Sequence, residues 1–120
     1  METIEVAPIK PTISLKEFQK IDIRVGTIES VDPVEKADKL VKLSVNFGNH
    51  YRQILAGIKT ERADPGEIIG RQALFVVNIE PREMMGELSE GMLFDLGYAD
   101  DITPVLAVPE QPVPDGVRAG

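Results

Sequence analysis

The chain has 120 residues, of which 42% are hydrophobic and 28% charged, with no cysteine and a formal net charge of −7. This length suits one domain with one core, and the lack of cysteine excludes disulfide bonds and thiolate metal sites. The acidic balance argues against a strong, non-specific nucleic-acid binder, because proteins of that class are usually basic.

The N-terminal segment, residues 1–12, is predicted to be a flexible arm, because it contains two prolines and no sustained hydrophobic period. It does not show the basic and then apolar sequence of a signal peptide. No stretch of the sequence approaches the roughly 20 apolar residues that cross a membrane. We therefore expect a cytoplasmic protein with no membrane partner.

Residues 13–120 are predicted to form the folded domain, which begins with a short helix. Ser14 and Glu17 fit a capping box, in which each side chain satisfies a backbone donor at the start of a helix. Leu15 and Phe18 lie three positions apart and therefore share one face. The pattern predicts a helix of one or two turns that covers the core.

The first strand is predicted to begin at Ile21, where apolar and polar residues start to alternate. The alternation slips after Gly26, and a glycine at such a slip indicates a bulge or a sharp bend. Pro33 is expected to end the strand, because proline has no N–H to donate to a sheet.

Four more main strands are predicted at 41–47, 51–58, 72–77 and 91–96, with a short sixth strand at 105–108. The loop 60–70 is expected to contain one helical turn, and the four prolines from Pro104 to Pro114 to prevent further regular pairing. The sequence thus predicts an all-β fold: a five-stranded OB-fold barrel with a short N-terminal helix and a C-terminal extension. An SH3-like barrel is the nearest alternative.

The segment 78–93, which joins the fourth and fifth strands, is the least generic part of the sequence. Pro81 fixes its backbone locally, and Gly86 and Gly91 permit unusual backbone angles. Composition therefore predicts a loop of defined shape that closes the barrel.

The sequence contains few residues that could form a catalytic site. His50 is the only histidine and falls in a predicted hairpin turn, so a nucleophile would have one exposed base at most. One histidine cannot make a closed zinc site, and the acids do not follow calcium-loop spacing. Neither a phosphate loop nor a dinucleotide-binding glycine motif occurs. The sequence predicts no enzyme, no metal and no cofactor.

The charges are unevenly distributed along the chain. Residues 10–62 contain ten basic and seven acidic residues, whereas residues 80–101 contain seven acidic residues and a single basic one, Arg82. A polyanion is therefore expected to favour the surface built by the first half. The candidates there for neutralising phosphates are Arg24, Lys39, Lys42 and Arg52.

The aromatic residues divide into two groups. The hydrophobic pattern assigns four of them to the core, namely Phe18, Phe47, Phe75 and Phe94. Tyr51 and Tyr98 remain as candidates for stacking on bases, which is too few for stacking to dominate RNA binding.

A set of short motifs, in this order and spacing, resembles the tRNA-binding domain family. The motifs are Asp22-Ile-Arg-Val-Gly26, Ala37-Asp-Lys-Leu40, Arg52-Gln-Ile54, Asn78 with Pro81-Arg82 and Met85-Gly86, and Ser89-Glu-Gly-Met92. The family includes the C-terminal domain or β subunit of methionyl-tRNA synthetase, free-standing structure-specific tRNA-binding proteins, domains like endothelial-monocyte-activating polypeptide, and CsaA-like export chaperones.

The resemblance implies an OB-fold that binds tRNA by its shape, largely through phosphates and without catalysis, as a detached β subunit of methionyl-tRNA synthetase would. It implies a homodimer whose interface includes the C-terminal extension of the 13–120 domain. The RNA-binding residues are expected among eight that fall at family motif positions: Arg24, Lys39, Lys42, Arg52, Asn78, Arg82, Ser89 and Met92.

A second function stays open beside tRNA binding, because a CsaA-like chaperone would bind unfolded peptides instead. The expected partners are therefore tRNA, a second copy of the chain, and either methionyl-tRNA synthetase or unfolded peptides. Four acids, Glu80, Glu83, Glu87 and Glu90, flank the motifs of the 78–93 segment. Carboxylates close to a phosphate path are expected to weaken RNA binding, and less so as salt rises.

Overall fold

A computed structural model describes residues 3–120, and its regular elements are short. The α-helix is α1 (Leu15–Phe18), and two 3-10 turns lie at Pro65–Ile68 and Tyr98–Asp100. The strands are β1 (Ile23–Pro33), β2 (Val41–Asn46), β3 (Tyr51–Ala56), β4 (Gln72–Val76), β5 (Arg82–Met84), β6 (Glu87–Ser89), β7 (Met92–Leu93), β8 (Asp95–Leu96) and β9 (Val105–Leu106). Within residues 3–120, no helix is long and apolar enough to cross a membrane.

Five strands form one antiparallel sheet in the order β3-β2-β1-β4-β7. The long central strand β1 pairs with β4 through its first half, Ile23 to Thr27, and with β2 through its second half, Thr27 to Pro33. The sheet curls around a core that includes Ile28, Leu43 and Phe75, all fully buried. The predicted five-stranded OB-fold barrel with a short helix is confirmed.

The bend of β1 differs from the prediction in its position and in the role of glycine. The register with β2 shifts between Ile28 and Ser30, so the bulge lies after Gly26 and not at it. A Cβ atom on Gly26 would lie 2.5 Å from Val45 Cγ1 and 2.9 Å from Phe47 Cε1. Glycine is therefore required because the core approaches the backbone closely, and the slip in alternation marks the bulge between Ile28 and Ser30.

The N-terminal helix does not cover the core, contrary to the prediction. Ser14 Oγ accepts a bond from the Glu17 amide at 3.1 Å, as a helix cap should, but the Glu17 carboxylate contacts Lys20 instead of completing the capping box. Helix α1 buries none of its residues, and Phe18 is 51% exposed. The regular strand also begins at Ile23, two residues later than predicted, and Ile21 is exposed.

Phe94 is the second aromatic residue wrongly assigned to the core. Its amide donates to Leu74 O at 3.0 Å and its carbonyl accepts from the Ala107 amide, so its backbone lies in the sheet. Successive side chains of an extended chain point to opposite faces. Because Leu93 points inward and is buried, Phe94 points outward and is 38% exposed. Phe47 and Phe75 are buried, as predicted.

The segment 78–93 is more regular than a shaped loop, since β5 and β6 form a hairpin within it. Met85 and Gly86 at its tip have φ values of 52° and 81°. Positive φ at both central residues is the geometry of a type I′ turn, which suits the twist of two-residue hairpins. The predicted strand 91–96 is correspondingly interrupted, with β7 and β8 separated at Phe94.

The C-terminal tail pairs with β1, although its prolines were expected to prevent this. The amide of Val25 donates to Val117 O at 3.0 Å, and the amide of Ala119 donates to Ile23 O at 2.8 Å. Strand β2 begins to pair with β1 only at Thr27, which leaves the preceding edge of β1 available. The tail beyond Pro114 occupies that edge.

Candidate nucleic-acid interface

The eight predicted RNA-binding residues do not form one patch. In the β2–β3 hairpin Asn46 lies opposite Tyr51, whereas Val41 lies opposite Ala56. We call the region around residues 47–51 the turn end of the barrel and the region around 37–42 and 56–59 the open end. Arg24, Arg52 and Asn78 lie at the turn end, while Lys39, Lys42, Arg82 and Met92 lie at the open end.

Arg24 is engaged by the fold at the turn end. Its Nε and Nη2 donate to the two carboxylate oxygens of Asp22, at 2.7 and 3.0 Å, and its Nη1 donates to Gly116 O at 3.1 Å. The hydrogen bonds from Arg24 hold the pKa of the Asp22 carboxyl below its usual range, and the same contact raises the pKa of Arg24. This side chain therefore fastens the C-terminal tail to β1.

Arg52 connects β3 to the two ends of the 78–93 segment. Its Nη1 donates to Val77 O at 2.6 Å and to Glu90 O at 3.1 Å, and its Nε lies 3.2 Å from His50 Nε2. A hydrogen bond from a charged donor to a backbone carbonyl is stronger than one from a neutral donor. Arg52 thus holds the segment in place, and only part of its guanidinium remains for a ligand.

Asn78 and Ser89 also bond backbone across the barrel. Asn78 accepts from the Asp22 amide at 2.8 Å and donates to Lys20 O at 2.5 Å. Ser89 is 3% exposed, and its Oγ accepts from the Leu55 amide at 3.0 Å and donates to Gly91 O at 2.9 Å. These bonds join the segment to β1 and β3, so both side chains have a role in closing the barrel.

The turn end contains a cavity of about 630 Å³. Its lining includes Arg24 and Arg52 with Asp22, and the rings of Phe47 and His50, which stack with centroids 5.6 Å apart. Asp22 compensates the charge of Arg24, whereas Arg52 bonds neutral carbonyls, so the donors of both arginines at this cavity are largely occupied by the chain.

At the open end, two of the predicted RNA-binding cations have no side-chain partner among residues 3–120. Lys39 and Arg82 are exposed, and among residues 3–120 no side-chain hydrogen bond or ion pair involves either of them. Leu40, next to Lys39, and Met84, two residues after Arg82 in the hairpin, pack against one small apolar cluster made by Val34, Ala37 and Leu55. That packing brings the two cations to the same end of the barrel.

Lys42 also lies at this end, but unlike Lys39 and Arg82 it has a carboxylate partner. Its Nζ is 3.3 and 3.4 Å from the two carboxylate oxygens of Glu87. The side chains of the pair are 34% and 29% exposed, so water and ions still reach them. This pair could not be predicted from the sequence, because the hairpin that carries Glu87 was not predicted.

A cleft of about 480 Å³ adjoins Arg82 and is lined by both apolar and acidic side chains. Met92 and Tyr98 line it and are 45% and 77% exposed. Glu61 and Asp95 also line it, and burial raises the pKa of each carboxyl, with the neighbouring charge of Asp95 adding to the effect on Glu61. Cations, an exposed aromatic ring and acids therefore meet at the open end.

These features define a class of protein: a small OB-fold barrel with exposed cations on its surface, Lys39 and Arg82 at the open end among them, as proteins that bind polyanions have. The family model described as "Putative tRNA binding domain" matches residues 23–118. The chain belongs to this tRNA-binding domain family, and the resemblance seen in its motifs is confirmed.

The similar proteins include both synthetases and chaperones. The methionine–tRNA ligase of Chlorobium chlorochromatii is 48% identical over 91 residues, which cover 76% of this chain and 13% of the ligase. The chain thus spans about 13% of the length of this relative. The crystal structure of a MetRS-related protein from Pyrococcus horikoshii matches with a TM-score of 0.84 and 32% identity, covering 92% of this chain and all of that one. The CsaA chaperone from Picrophilus torridus matches with a TM-score of 0.79 and 29% identity, covering 91% of this chain and all of that one.

Proposed function

We propose that the chain is a non-catalytic protein that recognises the shape of tRNA through its phosphates, with the open end of the barrel as the contact surface. The observation that carries the proposal is the state of Lys39 and Arg82, which are exposed and uncommitted within a chain of the tRNA-binding domain family. Arginine and lysine side chains that are free of internal partners can neutralise phosphates, and this supplies most of the affinity in shape-based RNA binding.

Contacts to phosphate fit this surface better than extensive base stacking. Of the residues that could stack, Phe47 and Phe75 are buried and Tyr51 lies at the turn end. Phe94 and Tyr98 are the exposed rings that line the cleft with Arg82, which is too few for stacking to dominate. A surface with two free cations binds weakly alone, so affinity would depend on presenting it more than once on a rigid body.

We therefore include a homodimer in the proposal, built on the β8–β9 ribbon. Leu96 and Val105 are directly paired in this ribbon, and each is 51% exposed. Ile102 and Val108 nearby are also exposed. Light scattering should give the mass of a dimer for the wild type and of a monomer for Val105→Glu, with Ile69→Glu as a control at an apolar site that is 50% exposed. If the wild type has the mass of a monomer, the proposed homodimer is wrong.

The binding surface is tested by titrating tRNA against the wild type and Arg82→Glu. We expect the substitution to weaken binding about tenfold at low salt, because it removes one phosphate contact and adds a repelling charge. The slope of log affinity against log salt should become shallower by about 0.7 to 0.9 for the lost contact. Arg71→Glu is the matched control, since Arg71 is also exposed but lies just before β4, where its carbonyl accepts from Ile28.

Two outcomes would contradict the proposal in different ways. A wild type that binds no tRNA at low salt would remove the function itself. Binding that Arg82→Glu and Arg71→Glu weaken equally would keep the function and move the contact surface away from the open end.

As a finer part of the proposal, the chain works in the cytoplasm beside a methionyl-tRNA ligase, in the manner of a detached β subunit. The 48% identity to part of such a ligase supports this partnership. Co-purification with the ligase, and a lower KM for tRNA in aminoacylation when the chain is added, are the expected results. If a saturating concentration of this protein leaves the KM of the ligase for tRNA unchanged, the proposed partnership is wrong.

Peptide binding is the second candidate, and one observation favours it. The match to a CsaA chaperone covers 91% of this chain, and the cleft beside Arg82 exposes Met92 and Tyr98, which suit apolar peptide side chains. Fluorescence anisotropy with a labelled unfolded peptide would detect this activity. Peptide binding that tRNA does not displace would favour the chaperone function over RNA binding.

A further inference from the structure

The β5–β6 hairpin has two faces with different environments. Met84 is paired with Glu87 in register, and Arg82 with Ser89, so these residues share one face. Ser89 is buried and Met84 packs on the apolar cluster of the open end, so this face is directed at the barrel. Glu83 lies on the opposite face and is exposed.

Glu87 is held at Lys42 by the attachment of this hairpin to β3. The Leu55 amide donates to Ser89 Oγ at 3.0 Å, and Gln53 Nε2 donates to Leu88 O at 2.9 Å. Leu55 is also the register partner of Lys42 across β2 and β3. These bonds hold the backbone of the hairpin next to β3, so the Glu87 side chain starts from a position close to the ammonium group of Lys42.

We propose that Glu87 is an internal competitor for RNA phosphate at Lys42, and that it thereby sets the affinity of the open end for RNA. The inference rests on the proposed tRNA-binding function. The contact places two carboxylate oxygens where phosphate oxygens would otherwise approach Nζ, at 3.3 and 3.4 Å. Of the three predicted RNA-binding cations at this end, Lys39, Lys42 and Arg82, Lys42 is the one whose charge an internal carboxylate already compensates.

This arrangement has a defined effect on RNA binding. A phosphate can contact Lys42 only by displacing Glu87 or by tolerating its charge, and either event lowers affinity relative to a free lysine. An internally paired lysine also neutralises no phosphate, so it contributes no counterion release. The same hairpin therefore carries an unpaired cation, Arg82, and the carboxylate of Glu87, which occupies the cation of Lys42.

The experiment compares Glu87→Gln with Glu83→Gln in tRNA titrations over a range of salt. Both substitutions remove one negative charge from the same hairpin, but only the first releases Lys42. We expect Glu87→Gln to raise tRNA affinity about two- to fivefold more than Glu83→Gln, the range that an exposed ion pair provides. It should also steepen the salt slope by about 0.7 to 0.9, because one more phosphate is neutralised. Melting temperatures within a few degrees of the wild type establish that both variants fold.

A Lys42→Gln background separates release of this lysine from a general change in charge. In that background Glu87→Gln should have no larger effect than Glu83→Gln. Equal effects of the two substitutions in the wild-type background, or an advantage of Glu87→Gln that persists without Lys42, would overturn the inference while leaving tRNA binding intact. If neither the wild type nor Glu87→Gln binds tRNA, the inference and the proposed function fail together.

Discussion

At the turn end of the barrel, Arg24 and Arg52 donate to a carboxylate and to three backbone carbonyls. At the open end, Lys39 and Arg82 extend into solvent, and Lys42 has one carboxylate partner. All five were predicted to contact RNA, yet the first two are used by the fold. The type of a basic residue therefore does not indicate its availability to a phosphate, which depends on how many of its donors the chain already occupies.

The largest expected effect comes from exchanging arginine for methionine at each end. Arg52→Met should lower the free energy of unfolding by about 2 to 3 kcal/mol, because Val77 O and Glu90 O lose a charged donor. Arg82→Met should change it by less than about 0.5 kcal/mol, since Arg82 is exposed. Urea denaturation measures both values.

Transfer-RNA titration of the same two variants completes the comparison. Arg82→Met should weaken tRNA binding and leave the free energy of unfolding nearly unchanged. Arg52→Met should mainly lower the free energy of unfolding. Equal destabilisation by both substitutions would show that the two ends do not differ as described.

A smaller effect is expected at the tip of the β5–β6 hairpin. Met85 has a φ of 52°, a left-handed conformation that asparagine tolerates better than methionine. Met85→Asn should therefore stabilise the chain by about 0.5 to 1 kcal/mol. Thermal denaturation checks the sign, with Leu88→Asn as a control on the same hairpin at an ordinary strand position. A lower melting temperature for Met85→Asn would mean that its exposed side chain makes a stabilising contact.

The smallest effect is in the pH dependence of stability, where the two ends have opposite signs. The pKa of Asp22 is lowered by Arg24, so its contribution to stability is present above its unfolded-state pKa and is lost as pH falls through the folded one. The pKa of Asp95 is raised by burial, so its contribution is present at low pH and is lost as pH rises through the folded value. Unfolding free energies measured from pH 3 to 7 should show less loss on acidification for Asp22→Asn, and less loss on neutralisation for Asp95→Asn. Parallel curves for the two variants would contradict the difference.

The parts of the fold that follow a hydrophobic period could be predicted from the sequence. Alternation located β2, and a continuous apolar run located β4, because burial of one or both faces imposes these patterns. The hairpin β5–β6 escaped prediction because its strands have three residues each and its turn residues are Met85-Gly86 instead of Asn-Gly. The pairing of the tail with β1 depends on partners more than 90 positions apart, which no local pattern reports.

The candidate site was predicted only in part, for a related reason. The motif resemblance selected Arg24, Arg52, Lys39 and Arg82 as candidates, but the carbonyls that accept from the first two are distant in sequence. Whether an arginine serves the fold or remains free is therefore decided by tertiary structure. The pairing of Lys42 with Glu87, 45 positions away, is hidden in the sequence for the same reason.

The pairing of the C-terminal tail with β1 also bears on self-association. Without it, the first residues of β1 would present unpaired amides and carbonyls along one side, and an open strand edge is a template for pairing with another chain. The bonds from Val25 to Val117 and from Ala119 to Ile23 remove that template within one molecule. A chain shortened before Gly116 would expose it, because the bonds of Val25 and Ile23 to the tail would be lost. The last residues of the tail thus protect the barrel against aggregation.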